Sequence, residues 1–206
     1  MIDYFALLNE PRRPWIDVEE LKEKFLALSS DFHPDRVHGA SEDEKQSANQ
    51  RYVELNAAHA CLRDPKERLR HLLELEQGVK PRDLQSTPVE MTELFMEVGK
   101  LCHEVDSFLR EKARVTSPLL RVQIFERGLE WNDNLKSLQE RIAAQRESLV
   151  RELISLNQVW ISPPKIDGCR EREALPLDRL ETLYRIFSYI NRWSAQVHER
   201  RVQLSF

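Results

Sequence analysis

The stretch Phe32-His33-Pro34-Asp35-Arg36 decides the fold, because it interrupts two helical patterns. A proline disfavours the helical conformation in the residue before it, so the preceding helix is predicted to end near Phe32. Apolar residues recur at helical spacing on both sides, at Leu21, Phe25, Leu28 and Phe32 upstream and at Ala48, Tyr52, Leu55, Ala58 and Leu62 downstream. Two such helices bury their stripes against each other. The pattern therefore predicts an antiparallel hairpin with His33-Pro34-Asp35 exposed at its tip.

An exposed carboxylate at the tip of a rigid hairpin is suited to a charge-assisted contact with an arginine on another protein. Pro34 would stiffen the loop, so that little ordering entropy is lost on binding. Taken alone, the tripeptide is equally consistent with an ordinary turn in which His33 and Asp35 cap the two helix ends.

Four segments in order and spacing resemble a J-domain, the co-chaperone module that docks on heat-shock ATPases of the DnaK type. They are Asp3 to Leu8, Leu21 to Phe25, Phe32 to Arg36 and Leu55 to Pro65. The resemblance implies an amino-terminal domain, residues 1–76, in which two short helices flank the hairpin. It also implies that His33, Pro34 and Asp35 contact the ATPase and couple it to substrate arrival.

The charge of the second predicted helix departs from this family, whose members present a basic face there. Here Ser29-Ser30-Asp31 precedes the tripeptide, and acidic residues outnumber the basic ones. Electrostatic steering toward an acidic ATPase surface should therefore be weak. The remaining cationic candidates for the ATPase contact are Lys22, Lys24 and Arg36, each of which is equally consistent with a solvated side chain.

Composition narrows the class of protein further. The 206 residues are 41% hydrophobic and 32% charged with only 5 glycines, which is typical of a helix-rich globular chain. The net charge of -4 and the absence of a basic stripe argue against nucleic acid or an anionic membrane as the main partner. No apolar run is long enough to span a bilayer, and the first residues resemble no targeting signal, so a cytoplasmic protein is expected.

The cysteines predict neither a disulfide framework nor a metal site. Cys61, Cys102 and Cys169 are scattered and odd in number, which favours reduced thiols packed as small apolar groups. Cys102 and His103 are adjacent, but neighbours on a helix point about 100° apart and no further ligand lies nearby. No metal and no cofactor are therefore expected.

A second helical region follows a linker at residues 77–87, which contains Gly78 and Pro81. Apolar seams predict a helix from Pro88, a very long one from Pro118 to Trp160 and a last one from Leu177 to about Leu204. A long loop separates the last two, between Ile161 and Pro176. Residues 88–206 are thus predicted to form a three-helix antiparallel bundle, which makes the whole chain all-α.

The first bundle helix carries a group of residues that falls away from its apolar seam. They are Phe95, Met96, Gly99 and His103. An exposed Phe and Met beside a glycine would form a small apolar patch suited to a partner. The alternative is that they pack on the fourth helix of the amino-terminal part.

The second region resembles the carboxy-terminal domain of HscB, the J-protein of iron-sulfur cluster biogenesis. The resemblance lies in Leu94 to Glu97, Leu183 to Phe187 and Val202 to Phe206. It implies delivery of an IscU-type scaffold to an HscA-type ATPase, with a client surface at Phe95, Met96 and Gly99 and a last-helix member at Ile186. Acidic residues expected beside that surface are replaced by Lys100 and His103, so the client stays open.

Three functional classes follow. The first is an HscB-like co-chaperone that stimulates a DnaK- or HscA-type ATPase and delivers a client. The second is a divergent J-like interaction protein with another client and little ATPase stimulation, as the acidic second helix suggests. The third, an enzyme using His33 and Asp35, is disfavoured, because side chains two apart across a proline seldom face each other and no pocket-forming motif is present.

Overall fold

The computed structural model describes residues 1–32, 39, 41–81, 89–161 and 175–205. Every regular element within these ranges is helical, which confirms the predicted all-α class. A short 3-10 turn, Val89–Met91, precedes the fifth helix. The α-helices are α1 (Tyr4–Leu7), α2 (Val18–Ser30), α3 (Glu42–Arg63), α4 (Pro65–Gln77), α5 (Thr92–Lys112), α6 (Pro118–Ile161) and α7 (Leu177–Ser205).

The chain divides into two compact units, each assembled from two separate stretches. The first unit combines Met1–Arg82 with Arg151–Tyr184, and the second combines Asp83–Val150 with Arg185–Phe206. The sequence pattern instead assigns residues 1–76 and 88–206 to two domains joined by a linker. The difference lies in residues 151–184, which pack in the same unit as the amino-terminal helices.

Helices α2 and α3 form the predicted hairpin in the first unit. The ring of Phe25 on α2 stacks on His59 of α3, with centroids 4.5 Å apart. Lys22, near the start of α2, and Arg63, at the end of α3, both act electrostatically on His59, as expected for antiparallel helices. Leu21, Leu55, Ala58 and Leu62 are buried in the core beneath it.

The helix boundaries of this unit follow from capping residues. Asp17 accepts hydrogen bonds from the backbone N–H groups of Glu19 and Glu20 at the start of α2. Ser41 and Glu44 form a reciprocal capping box at the start of α3. Asp64 ends α3 and caps α4, whose first residue is Pro65. Helix α4 ends at Gly78, where a φ of 76° requires a left-handed residue.

The buried guanidinium of Arg68 joins the loop before α2 to the junction of α3 and α4. Its Nε donates to the carbonyl of Pro14 at 2.9 Å, and its Nη1 donates to that of Leu62 at 2.6 Å. Burial lowers the pKa of Arg68 to about 10. The side chain satisfies a carbonyl at the end of α3 that the helix itself leaves unpaired.

The second unit holds three helices whose directions follow from pairs of contacts. Arg127 pairs with Glu111 at 2.6 Å and Arg141 pairs with Glu97, so α6 runs antiparallel to α5. Arg200 of α7 pairs with Asp106 at 2.7 Å. Earlier along both helices, the ring of Trp193 in α7 lies 6.2 Å from that of Phe95 in α5. Since both contacts occur in the same order along the two helices, α7 runs parallel to α5.

The apolar seams predicted for the last two helices form the core. Leu135, Leu138, Ile142 and Leu149 of α6 are buried, and so are Leu180, Leu183, Phe187, Ile190 and Val197 of α7. The first bundle helix begins at Thr92 rather than at Pro88, since the chain passes first through the 3-10 turn. Pro88 itself, and residues 162–174 of the predicted loop, lie outside the described residues.

Candidate interaction sites

The tripeptide His33-Pro34-Asp35 and Arg36 lie outside the described residues, so their exposure and their role stay predictions. Their position in the chain is nevertheless defined by what flanks them. Helix α2 ends at Ser30, and the amide of Phe32 donates to the carbonyl of Ser29 at 3.2 Å. Helix α3 begins at Glu42. The tripeptide therefore belongs to the connection between the two hairpin helices, as the sequence predicts.

The two lysines predicted to contact an ATPase differ in their surroundings. The side chain of Lys22 is 56% exposed and lies 3.6 Å from Glu19. Lys24 instead donates to Glu10 at 2.6 Å, and the Glu10 side chain is completely buried. Arg13 is the second cation on that carboxylate, at 3.1 Å. Lys24 is thus committed to a structural ion pair, whereas Lys22 is available to a partner.

Apart from Lys22, the charged residues exposed on α2 are acidic. Glu19, Glu20 and Glu23 are exposed on this helix. Lys24 offsets little of their charge, because its own charge is matched by buried Glu10. The weak electrostatic steering inferred from the sequence agrees with this arrangement.

The patch predicted on the first bundle helix is exposed in the structure. Phe95 is 43% exposed and Met96 is 65% exposed, while Gly99 and His103 are also at the surface. No atom lies within 4 Å of the point where a Cβ on Gly99 would be, so packing inside the protein does not require glycine there.

Ile186 does not belong to this surface, and the prediction for it is wrong. Its side chain is completely buried. Because α7 runs parallel to α5 and Trp193 lies level with Phe95, Ile186 falls two turns earlier, in the core.

The residues of α7 that do reach the patch were missed by sequence reasoning. A groove of about 330 Å³ separates α5 from α7 and is lined on the α7 side by Tyr189, Arg192, Trp193 and Gln196. Arg192 is exposed there, and the buried ring of Trp193 packs against the ring of Phe95. Tyr189, Trp193 and Gln196 stand at helical spacing, which places them on one face of α7. The sequence could have indicated that this face borders the patch only if the parallel arrangement of α5 and α7 had been known.

The rim of this groove carries positive charge. Arg192 is exposed there, whereas the carboxylate of Asp106, which also lines the groove, is paired with Arg200. A partner at this surface would therefore meet apolar side chains bordered by positive charge.

The described residues contain no group of three or more metal-ligating side chains. Burial raises the pKa of the Cys61 thiol to about 11 and also raises that of Cys102, which makes both poor nucleophiles and poor metal ligands as they stand. Cys169 lies outside the described residues. None of the described helices is long and apolar enough to cross a bilayer.

A hairpin with two flanking helices, followed by a three-helix bundle, defines an all-helical protein with a J-type amino-terminal region. Residues 3–71 match the family model described as DnaJ domain, which confirms the resemblance seen in the sequence.

The fold of the whole chain is that of the HscB chaperones. Chaperone HscB from Vibrio cholerae matches with a TM-score of 0.63 and 23% sequence identity, over 98% of this chain and 99% of that one. Human co-chaperone protein HscB matches with a TM-score of 0.58 and 18% identity, over 98% of this chain and 81% of that one. The predicted HscB-like architecture is confirmed at the level of the fold.

Proposed function

We propose that this protein is a co-chaperone that stimulates ATP hydrolysis by a heat-shock ATPase of the DnaK or HscA type. We propose further that it delivers an iron-sulfur cluster scaffold of the IscU type to that ATPase. The observation that carries the proposal is the combination, in one chain, of a DnaJ domain over residues 3–71 and an HscB-like fold over 98% of the length.

The two parts of the chain would divide the work. The carboxylate of Asp35, held between α2 and α3, would pair with an arginine of the ATPase, with His33 and Pro34 setting its position. The apolar surface of Phe95 and Met96 would hold the client, because burying exposed apolar side chains is favourable. The packing of Phe95 against Trp193 would limit the side-chain freedom that Phe95 loses on binding.

A second candidate function is a J-like interaction protein that binds a client without stimulating an ATPase. The acidic surface of α2 favours it, because Lys24 is neutralised by Glu10 and exposed carboxylates surround Lys22. The two candidates differ in one measurement, which is the rate of ATP hydrolysis by the cognate ATPase with and without this protein.

The proposal also includes what the protein does not do. It has no catalytic activity of its own, needs no cofactor and binds neither nucleic acid nor a membrane. A cytoplasmic location is likewise part of the proposal, supported by a composition in which 32% of the residues are charged.

Replacing Asp35 by Asn should abolish ATPase stimulation. The variant keeps the shape of the side chain but removes the charge that would pair with an arginine. We expect the single-turnover hydrolysis rate to fall to that of the ATPase alone. Asp43→Asn is the control, because Asp43 is an exposed aspartate in the first turn of α3. Undiminished stimulation by the Asp35 variant would refute the proposed role of the tripeptide.

Replacing Met96 by Glu should weaken capture of an IscU-type scaffold by about tenfold or more, because a charge would enter the centre of an apolar contact. Binding is measured by titration calorimetry with purified scaffold. The control is Val53→Glu, which puts the same charge on a side chain of similar exposure in α3. If both variants bind the scaffold as the parent does, the client surface lies elsewhere.

A further inference from the structure

A second exposed apolar surface lies on the first turns of α6, away from the Phe95 and Met96 patch. Phe125 is 66% exposed, and each of its large apolar neighbours is at least 48% exposed. The set comprises Leu119, Leu120, Val122, Phe125 and Leu129. Clustering of so many exposed apolar side chains within about three helical turns is unusual for a surface without a partner.

The spacing of these residues gives the surface a direction. Val122, Phe125 and Leu129 stand at i, i+3 and i+7, so they form one stripe along the helix. The side chains of α6 that face the bundle core, such as Ile124 and Leu135, lie on another side. The stripe is therefore not required to hold the bundle together, and burying it needs another helix or surface.

A groove runs beside this stripe because α6 extends beyond the last described turn of α7. Arg201 of α7 donates to Asn132 at 3.2 Å, and α7 ends one turn later, at Ser205. Helix α6 continues back to Pro118, about 15 Å farther at 1.5 Å per residue. The resulting groove has a volume of about 520 Å³ and is lined by Val115, Ile124, Phe125, Leu129 and Leu204.

Positive charge borders the groove. Arg121 lines it, and so does Lys112, whose Nζ donates to the carbonyl of Leu204 at 3.1 Å. Within the part of the chain that the structure describes, Arg121 is exposed and takes part in no ion pair. The whole chain carries a net charge of -4, so this cationic border differs from the protein's average.

We propose that this groove binds an amphipathic helix with an acidic flank, supplied by a second protein. The occupant lies along α6 beside the last described turn of α7, buries its apolar side on Phe125 and Leu129, and pairs its carboxylates with Arg121. The inference does not rest on the proposed ATPase or scaffold, because it concerns a different surface of the bundle.

The experiment is site-specific photo-crosslinking from the full chain in the source cell. A benzophenone amino acid replaces Val122, and a second version carries it at Ser137, an exposed position on the same helix outside the stripe. The crosslinked peptide is identified by mass spectrometry. A synthetic copy of it is then titrated against the purified full chain, the variants Arg121→Glu and Phe125→Glu, and the control Arg151→Glu.

The expected product is a crosslink at residue 122 only, to a segment with apolar residues at helical spacing and net negative charge. Its affinity should fall about tenfold or more in Arg121→Glu and Phe125→Glu, fall with added salt, and be unchanged in Arg151→Glu and Met96→Glu. A crosslink to another copy of this chain, to lipid, to a basic segment or to nothing above the Ser137 control overturns the inference. Loss of binding in Met96→Glu would also overturn it, since the peptide would then belong to the other patch.

Discussion

The buried carboxylate of Glu10 shows how one residue can change the role of another. It accepts from Lys24 at 2.6 Å and from Arg13 at 3.1 Å while its own side chain is inaccessible to solvent. A buried charge must be paired, so the fold requires at least part of this cationic shell. Lys24 therefore resembles a surface lysine in the sequence but acts as a structural residue.

Lys24→Ala should destabilise the first unit by about 1–2 kcal/mol, because it removes one of two partners of a buried carboxylate. Lys22→Ala, two residues away on the exposed side of α2, should change stability by less than about 0.5 kcal/mol. Urea unfolding followed by circular dichroism measures both. Equal effects of the two substitutions would contradict the structural role assigned to Lys24.

Sequence reasoning could not separate these two lysines, because the partner of Lys24 lies fourteen positions earlier in an irregular segment. The same limit applies to Ile186. Helical spacing assigns a residue to one face of its helix, but only the parallel arrangement of α5 and α7 decides that this face is core. The capping contacts of Ser41 and Asp64, by contrast, reach only three residues along the chain, so their spacing is visible in the sequence.

At the scale of elements, α1 is too short to be stable by itself and is held by α4. The backbone amide of Tyr4 donates to Nε2 of His71 at 3.0 Å, and the ring of Phe5 stacks on the same imidazole. Arg12 bridges Asp3 and Glu76, at 2.8 Å and 3.2 Å. Four residues of helix gain little from their own hydrogen bonds, so these contacts determine the position of α1.

The accepting role of His71 makes the first unit sensitive to acid. Burial lowers the pKa of His71 below its ordinary value of 6.5, and burial followed by the charges of Arg63 and Lys22 does the same for His59. The unfolded chain then binds protons more readily than the folded one. The stabilising contribution is complete above pH 6.5 and is lost as the pH falls through the lowered pKa values.

We therefore expect hydrogen-exchange protection of the α4 amides to decrease between about pH 7 and about pH 5, after correction for intrinsic exchange rates. In the His71→Gln variant, whose amide oxygen can still accept from Tyr4, this decrease should be smaller. The exposed residue His103 gives the control, His103→Gln, in which the dependence on pH should be unchanged. An equal pH dependence in the parent and in His71→Gln would exclude His71 as its source.

Most elements were predicted from the sequence because their signals are local. The hairpin and the seams of α6 and α7 depend on residues within a few turns of each other. The 3-10 turn before α5 and the groove residues of α7 were not found, since each depends on how separate helices pack. The groove beside Phe125 was likewise not predicted, because it lies where α6 extends beyond the last described turn of α7.

At the scale of the whole molecule, chain order and compact units do not coincide. Residues 151–184 are grouped with the amino-terminal residues, although they follow the bundle helices in sequence. Leu153, Leu180 and Leu183 are buried within that first unit. Apolar side chains that lose their surroundings return to water at a cost of about 25 cal/mol per Å².

A fragment containing only residues 88–206 should consequently be ordered in part. We expect amides in residues 151–161 and 177–184 to lose protection from hydrogen exchange by about tenfold or more relative to the full chain. Amides of α6 within residues 124–150, whose surroundings are kept in the fragment, serve as the internal control. Full protection throughout the fragment would show that residues 1–82 contribute nothing to the order of residues 151–184.

The two buried thiols have a practical consequence for labelling. Cys61 and Cys102 are packed beneath helices with their pKa values raised, so maleimides and iodoacetamide meet neither a thiolate nor an open path. Alkylation at either position would then report breathing of the surrounding helices and not surface chemistry. A fluorophore meant for an interaction surface needs a newly introduced cysteine. Cys61 and Cys102 can stay in place, where their slow alkylation measures local opening of the helices around them.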